Sequence, residues 1–435
     1  MTKQNIITKA STAYRTAGAG LLLTTLLLTG CGATTGTDIS ASATTSTSTE
    51  ATTGSTATAS SLASTATTTG TTAGTLTSAA DAAQAFMDLL TDEQKEALVY
   101  DYNDSTKSTS WSNFPVTFVD RAGINLHDLT DEQKEAALAV LEGVLNEEAY
   151  ELAVNIMNGD QYLLDYSNTT EDSLGQYYIA FFGEPTVDGT WSLQFGGHHL
   201  GLNVDLNGET QSITFAPTHL GSQPYSYTNE NGETITTMDA IYTDTFAFYN
   251  SLTEEQLSTV YQSESVANLT CAPGDTCDFS TGTGLAGSEL TDEQKELLLE
   301  LIKNYAGMAD EETWEAQKAD ILATIDDTYI AWSGATEYDT SIEGGIYFLI
   351  SGPNVYLEFS GQGASAGADV EGDITTGWGH VHSIYRDPSN DYGGSVEQNA
   401  TSGMGGGAGA PAGGAPSGEA PNGMTPPSGA PGSNG

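Results

Sequence analysis

The pentapeptide Leu-Thr-Asp-Glu-Gln stands at residues 90–94, 129–133 and 290–294, and its near copy Leu-Thr-Glu-Glu-Gln at 252–256. Each copy reads as the start of a helix. The threonine oxygen can accept from free backbone amides of the first turn, and the glutamine three residues on can reach back to close a capping box. The acids between them suit the positive end of the helix dipole. Repeated caps alone reflect local physics, so their spacing is more informative. Thr91 and Thr130 are 39 positions apart, and Thr253 and Thr291 are 38 apart, which indicates two similar halves.

The segments downstream fit a duplication. Tyr178-Ile179-Ala180-Phe181-Phe182-Gly183 matches Tyr329-Ile330-Ala331-Trp332-Ser333-Gly334. Both follow stretches with helical apolar spacing, clear in Ala136 to Leu145 and Leu297 to Tyr305. Next in each half comes an alternating strand around a glycine, Q-F-G-G-H-H-L-G-L-N-V from Gln194 and L-I-S-G-P-N-V-Y-L-E-F from Leu349. Ile213 to Pro217 is paired with Ile384 to Pro388, and Asn207-Gly208 and Asn231-Gly232 read as hairpin turns. The expected fold is α+β: one domain over residues 80–395, built of two pseudo-repeats at about 80–235 and 240–395. Each repeat would be helices followed by antiparallel strands.

Both ends of the chain have another character. Residues 1–30 combine Lys3, Lys9 and Arg15 with an apolar run from Leu21 to Leu28, too short to span roughly 30 Å of hydrocarbon. They read as a signal peptide. Leu28-Thr29-Gly30-Cys31 resembles the lipobox of bacterial lipoproteins, which implies cleavage before Cys31 and lipid on that cysteine. The expected location is the bacterial cell envelope, on its periplasmic or surface side, with the membrane as a partner through the Cys31 lipid. Residues 31–79, rich in Thr, Ser, Ala and Gly, read as a tether, and 396–435, rich in Gly and Pro, as a disordered tail.

Eleven basic residues face 58 acidic ones, a net charge of −47. Loss of the leader's three basic residues leaves eight against 58, or −50. Nucleic acid and anionic lipid are excluded as partners by that balance. Cys271 and Cys277 enclose a short turn-rich loop and read as a local disulfide in an oxidising compartment.

Four of the six histidines fall in two clusters. One lies in Gly379 to Gly393, G-H-V-H-S-I-Y-R-D-P-S-N-D-Y-G. On a strand His380 and His382 share a face, roughly 6.6 Å apart at about 3.3 Å per residue, a ligand spacing. The other is G-G-H-H. Strand parity puts His198 with Leu200, Leu202 and Val204 and His199 with Gly201, Asn203 and Asp205, so His199 is the first choice of ligand, and His198 reads as a packed, hydrogen-bonded core histidine and only the second choice. Three or four imidazoles suit a divalent transition metal (zinc, iron or copper) better than calcium or magnesium. Glu358, Asp387 or Asp391 can add a carboxylate. Arg386, the only basic residue after Lys318, can clamp an anionic substrate or pair with Asp387 or Asp391. His127 and His219 read as local, and the five tryptophans as core.

Taken together, W-S-N-F-P at Trp111, R-A-G at Arg121, G-H-H at Gly197 and H-V-H-S-I-Y-R-D-P-S-N-D-Y-G at His380 resemble the domain-of-unknown-function family 3500 over about residues 80–395. The resemblance implies that His198, His199, His380, His382, Arg386, Asp387, Asp391, Tyr392 and Gly393 belong to the family's characteristic set. It implies no activity. Three functional readings compete. One is a metal-dependent extracytoplasmic hydrolase or oxidase with Asp391 or Glu358 as base and Arg386 at the substrate. Another is a non-catalytic envelope protein that binds a metal or small molecule. In the last, the histidines only brace the two halves.

Overall fold

The computed structural model describes residues 70–167, 175–274, 276–362, 374 and 376–398. The leader, Cys31 and the tail beyond 398 lie outside the described residues. In the first half, helices α1 (Thr72–Asp88) and α2 (Asp92–Leu98) lead into strand β1 (Val99–Tyr100). A short turn of helix α3 (Thr106–Thr109), strand β2 (Ile124–Asn125), and helices α4 (Asp131–Val144) and α5 (Glu147–Tyr166) follow. Strands β3 (Tyr178–Phe182), β4 (Thr190–Gly196), β5 (Leu200–Asn207), β6 (Ser212–Thr214) and β7 (Thr218–Ser222) complete the half. A hairpin of β8 (Ser226–Thr228) and β9 (Thr234–Thr236) joins it to the second.

The second half repeats the plan. Helices α6 (Asp239–Ser251) and α7 (Glu254–Val260) run into β10 (Tyr261–Ser263) and β11 (Leu285–Ala286). Helices α8 (Asp292–Ala306) and α9 (Glu311–Ala323) come next. Strands β12 (Tyr329–Gly334), β13 (Ile346–Ser351), β14 (Tyr356–Gly361) and β15 (Val381–Arg386) end it. One mixed sheet runs through both halves in the order β1-β3-β4-β5-β7-β15-β14-β13-β12-β10, with β2, β6 and β11 attached to β3, β5 and β12. That order is a palindrome. Each half puts a short parallel strand at its edge, β1 on β3 and β10 on β12, and the halves meet where β7 runs antiparallel to β15. The fold is α+β.

All four repeated pentapeptides form complete capping boxes, at Thr91, Thr130, Thr253 and Thr291. Their glutamines do more than cap. Gln133 Nε2 donates to Gln94 Oε1 (3.1 Å) and to the Leu89 carbonyl, and Gln294 Nε2 donates to Gln256 Oε1 (2.9 Å) and to the Ser251 carbonyl. The motif therefore recurs in pairs because each pair of helix starts is clasped through its capping side chains. Phe181 and Trp191 in one half, and Trp332 and Phe348 in the other, are buried at the centre of the core.

Three expectations need correcting. The tether ends earlier than residue 79, because α1 starts at Thr72 and buries Thr75, Leu76, Ala79 and Ala80 at helical spacing. Thr75 Oγ1 also donates to Asp310 Oδ2 (2.7 Å), which fixes this helix to α9. Ile213 to Pro217 is not the counterpart of Ile384 to Pro388. Ile213 sits on β6, which among the described residues pairs only with β5, whereas Ile384 sits on central β15, whose counterpart is β7. Finally, G-G-H-H does not lie within one alternating strand, for β4 ends at Gly196 and β5 begins at Leu200.

Candidate metal centre

That last correction changes the reading of the site. His198 and His199 occupy the tight turn between β4 and β5, where strand parity does not apply, and their rings stack with centroids 4.1 Å apart. The turn is positioned by β7, which lies between β5 and β15. Gly221 of β7 donates its N–H to the His199 carbonyl (2.7 Å) and pairs in register with His382. A Cβ on Gly221 would lie 2.5 Å from the Val381 carbonyl oxygen and 3.3 Å from ring carbons of His199 and His219. Bare backbone is therefore required beneath the histidines.

Over this floor, His198, His199, His380 and His382 each bring one ring nitrogen within 4.8 Å of all the others, a group that can hold a metal ion. His380 precedes β15 and His382 lies on it, and their Nε2 atoms are 2.9 Å apart. His199, His380 and His382 are buried and His198 is half-buried, so His198 forms the open side. The carboxylate that serves the cluster comes from α5. Asp160 Oδ1 is hydrogen-bonded to His199 Nδ1, and Asp160 Oδ2 accepts from the Tyr177 hydroxyl (2.6 Å). With its Nδ1–H donated to Asp160, His199 keeps a lone pair on Nε2, and that buried atom has no hydrogen-bond partner among the described residues. His198 Nδ1 is likewise buried without one. A ring nitrogen bound to a carboxylate and its opposite nitrogen presented to a shared centre is the arrangement that orients metal-ligating imidazoles.

Electrostatics favour the same chemistry. Burial, reinforced by the neighbouring imidazoles, holds His198, His199 and His382 well below the usual histidine range. Burial also lowers His219 to about 4. Asp160 is pushed up to about 6 by burial, against the pull of His198 and the Tyr177 hydroxyl. At neutral pH the rings of His198, His199 and His382 are uncharged and Asp160 is ionised, which is the protonation state that metal binding needs.

The residues proposed for catalysis are not gathered here. Glu358 is buried, but its carboxylate accepts from the Thr270 and Cys271 backbone N–H groups, the Thr270 hydroxyl and the Tyr347 hydroxyl. It anchors the disulfide loop, in which Cys271 and Cys277 are bonded to each other. Arg386 pairs with Asp391 through both Nε (2.7 Å) and its terminal amine (2.6 Å), and Asp391 also accepts from the Asp387 N–H (3.1 Å). Arg386 is 1% exposed and lies over the Phe279 ring. A buried guanidinium so occupied, at the end of β15 four residues beyond His382, closes the turn after the strand.

Sequence reasoning missed Asp160, Asn113 and His219. Asp160 was detectable, since it shares a helical face with Ala149, Ala153, Ile156, Met157 and Leu163, all buried, and a carboxylate on an apolar stripe needs a partner. His219, read as local, is buried and stacked on His382 with centroids 5.2 Å apart, its Nδ1 2.7 Å from the Ser383 carbonyl. Asn113 Nδ2 lies 3.0 Å from His382 Nδ1.

Residues 72–394 match the family model described as protein of unknown function (DUF3500). The chain belongs to DUF3500. No curated protein and no solved structure matches it. The DUF3500 match starts with the first residue of α1, includes every strand and all four clustered histidines, and ends just past Tyr392.

Proposed function

We propose that the protein is a metal-binding lipoprotein of the bacterial cell envelope, which uses His198, His199, His380 and His382 to hold one transition metal ion, zinc, iron or copper. The observation that carries this reading is the convergence of four ring nitrogens, with His199 fixed by Asp160 and its Nε2 left without a hydrogen-bond partner among the described residues. Four protein ligands complete a tetrahedral shell, and closed four-ligand shells belong to binding and structural zinc sites, whereas catalytic zinc keeps a position open. Zinc hydrolysis is therefore the weaker reading. A second reading, an oxidase, follows from His198 being half-buried beside three buried ligands. An ion that takes five or six ligands would supply redox or Lewis-acid chemistry on that side. The roles of the chain's own residues are the same in both cases: Asp160 orients His199, and the bare backbone at Gly221 leaves room for the rings.

The envelope address rests on Lys3, Lys9 and Arg15 of the leader, the short apolar run and Cys31. Among the described residues no helix is long and apolar enough to cross a membrane. The metal reading is tested by titrating zinc, ferrous iron or cupric copper into wild-type protein and a His380→Ala, His382→Ala double variant. Binding of one ion by the wild type, lost in the variant, is expected; equal binding by both excludes the site. The anchor is tested by a Cys31→Ser variant, which should leave the membrane fraction.

A further inference from the structure

The W-S-N-F-P and R-A-G motifs resemble family marks and nothing more in the sequence, yet in the structure both converge on the histidines. Arg121 donates to the carbonyls of Ser112, Phe114 and Val119 within its own loop, and to the Gly197 carbonyl (2.9 Å) in the turn that carries His198 and His199. Its guanidinium ties the loop to that turn. Trp111 fixes the start of the loop, with its indole N–H donated to the Tyr392 hydroxyl (2.9 Å) and its ring against Gly201, where a Cβ would come within 3.0 Å. Between these anchors Asn113 holds its amide 3.0 Å from His382 Nδ1, and its Oδ1 is buried with no partner among the described residues.

We infer that Asn113 is a positioning residue of the histidine centre, its amide selecting which nitrogen of His382 carries the proton. This rests on the reading of the centre as a metal site. An imidazole offers Nε2 to an ion only when its proton is on Nδ1, and a buried Nδ1–H needs an acceptor. In the orientation observed, Asn113 Nδ2 donates to Nδ1, so the His382 proton lies on Nε2, 2.9 Å from His380 Nε2, to which it donates. A half-turn of the amide exchanges Nδ2 for Oδ1. Oδ1 then gains the partner it lacks, the proton is carried on Nδ1 instead of Nε2, and the Nε2 lone pair faces the centre. Asp160 at neutral pH only accepts, so His199 stays in the ligand form. Asn113 can do either, so His382 enters the ligand form only when the amide reverses.

Two readouts on the folded protein test this. In zinc competition against a chromophoric chelator, Asn113→Leu, which is similar in size and cannot hydrogen-bond, should weaken binding 10–100-fold, whereas Asn113→Asp, which only accepts, should bind at least as tightly as wild type. In the zinc-free protein, histidine ¹⁵N shifts should place the His382 proton on Nε2 in wild type and on Nδ1 in Asn113→Asp. Unchanged zinc affinity in Asn113→Leu, or one His382 tautomer in both wild type and Asn113→Asp, overturns the inference. A wild-type protein that takes no metal defeats the reading of the centre instead, and the tautomer comparison still decides the role of Asn113.

Discussion

Asp160→Ala perturbs the centre without removing a ligand. The carboxylate holds His199 Nδ1 and the Tyr177 hydroxyl, and both are buried, so the variant leaves two polar groups unpaired. Each costs about 1–3 kcal/mol. Against this, a carboxyl whose pKa is raised from 3.8 to about 6 destabilises the folded protein at pH 7 by about 3 kcal/mol, at 1.36 kcal/mol per unit, and alanine removes that term. The two contributions largely offset, so the variant should fold. Metal affinity has no such offset, because among the described residues Asp160 is the group that keeps the His199 proton on Nδ1. Loss of an orienting carboxylate weakens metal binding about 10–100-fold, or roughly 1.4–2.7 kcal/mol. Asp160→Asn, which keeps an acceptor but not the charge, should fall between. The assay is zinc affinity by chelator competition, with denaturant unfolding as the control. An Asp160→Ala protein that folds and binds zinc within twofold of wild type refutes the argument that Asp160 orients a ligand.

Three further outcomes are expected. In metal-free protein, stability should fall as pH drops from about 7 to 5, because the unfolded chain protonates histidines that the folded chain keeps neutral. For His219, lowered from 6.5 to about 4, the full loss is about 3 kcal/mol by pH 4, and His198, His199 and His382 act in the same direction. The raised Asp160 has the opposite sign, favouring the folded state as pH falls through 6, and offsets about one histidine. Equal or higher urea midpoints at pH 5 than at pH 7.5 would contradict this. Gly221→Ala should reduce both stability and zinc affinity, since the added Cβ meets the Val381 carbonyl oxygen and the His199 ring; wild-type affinity would mean that the floor can give way. Arg386→Met should cost about 3–5 kcal/mol in denaturant unfolding by leaving Asp391 buried without its partner, yet leave zinc affinity within twofold in the folded protein.

Local signals carried most of the fold. A capping box is complete within five residues, so all four helix starts could be read from composition and order, and their spacing exposed the two halves. The same locality hid the Gln94–Gln133 and Gln256–Gln294 clasps, which depend on tertiary packing. Both histidine clusters were legible, but strand parity misled at His198 and His199 because a two-strand hairpin and a single alternating strand differ only in where the chain turns. Glu358 and Asp391 stood out as carboxylates that could join the histidines and Arg386 as the only basic residue after Lys318, but Glu358 holds the disulfide loop and Arg386 pairs with Asp391 in the turn after β15. Asp160 lies 39 residues from His199, and the contact exists only once α5 docks beside β7.

The central claim is that the four histidines form a metal centre, and metal content tests it most directly. Protein purified from its native source without chelators should carry about one zinc, iron or copper ion per chain by elemental analysis. Anomalous scattering should place that ion within about 2.0–2.1 Å of ring nitrogens of His198, His199, His380 and His382. A metal-free protein whose stability does not change on addition of zinc, iron or copper would contradict it.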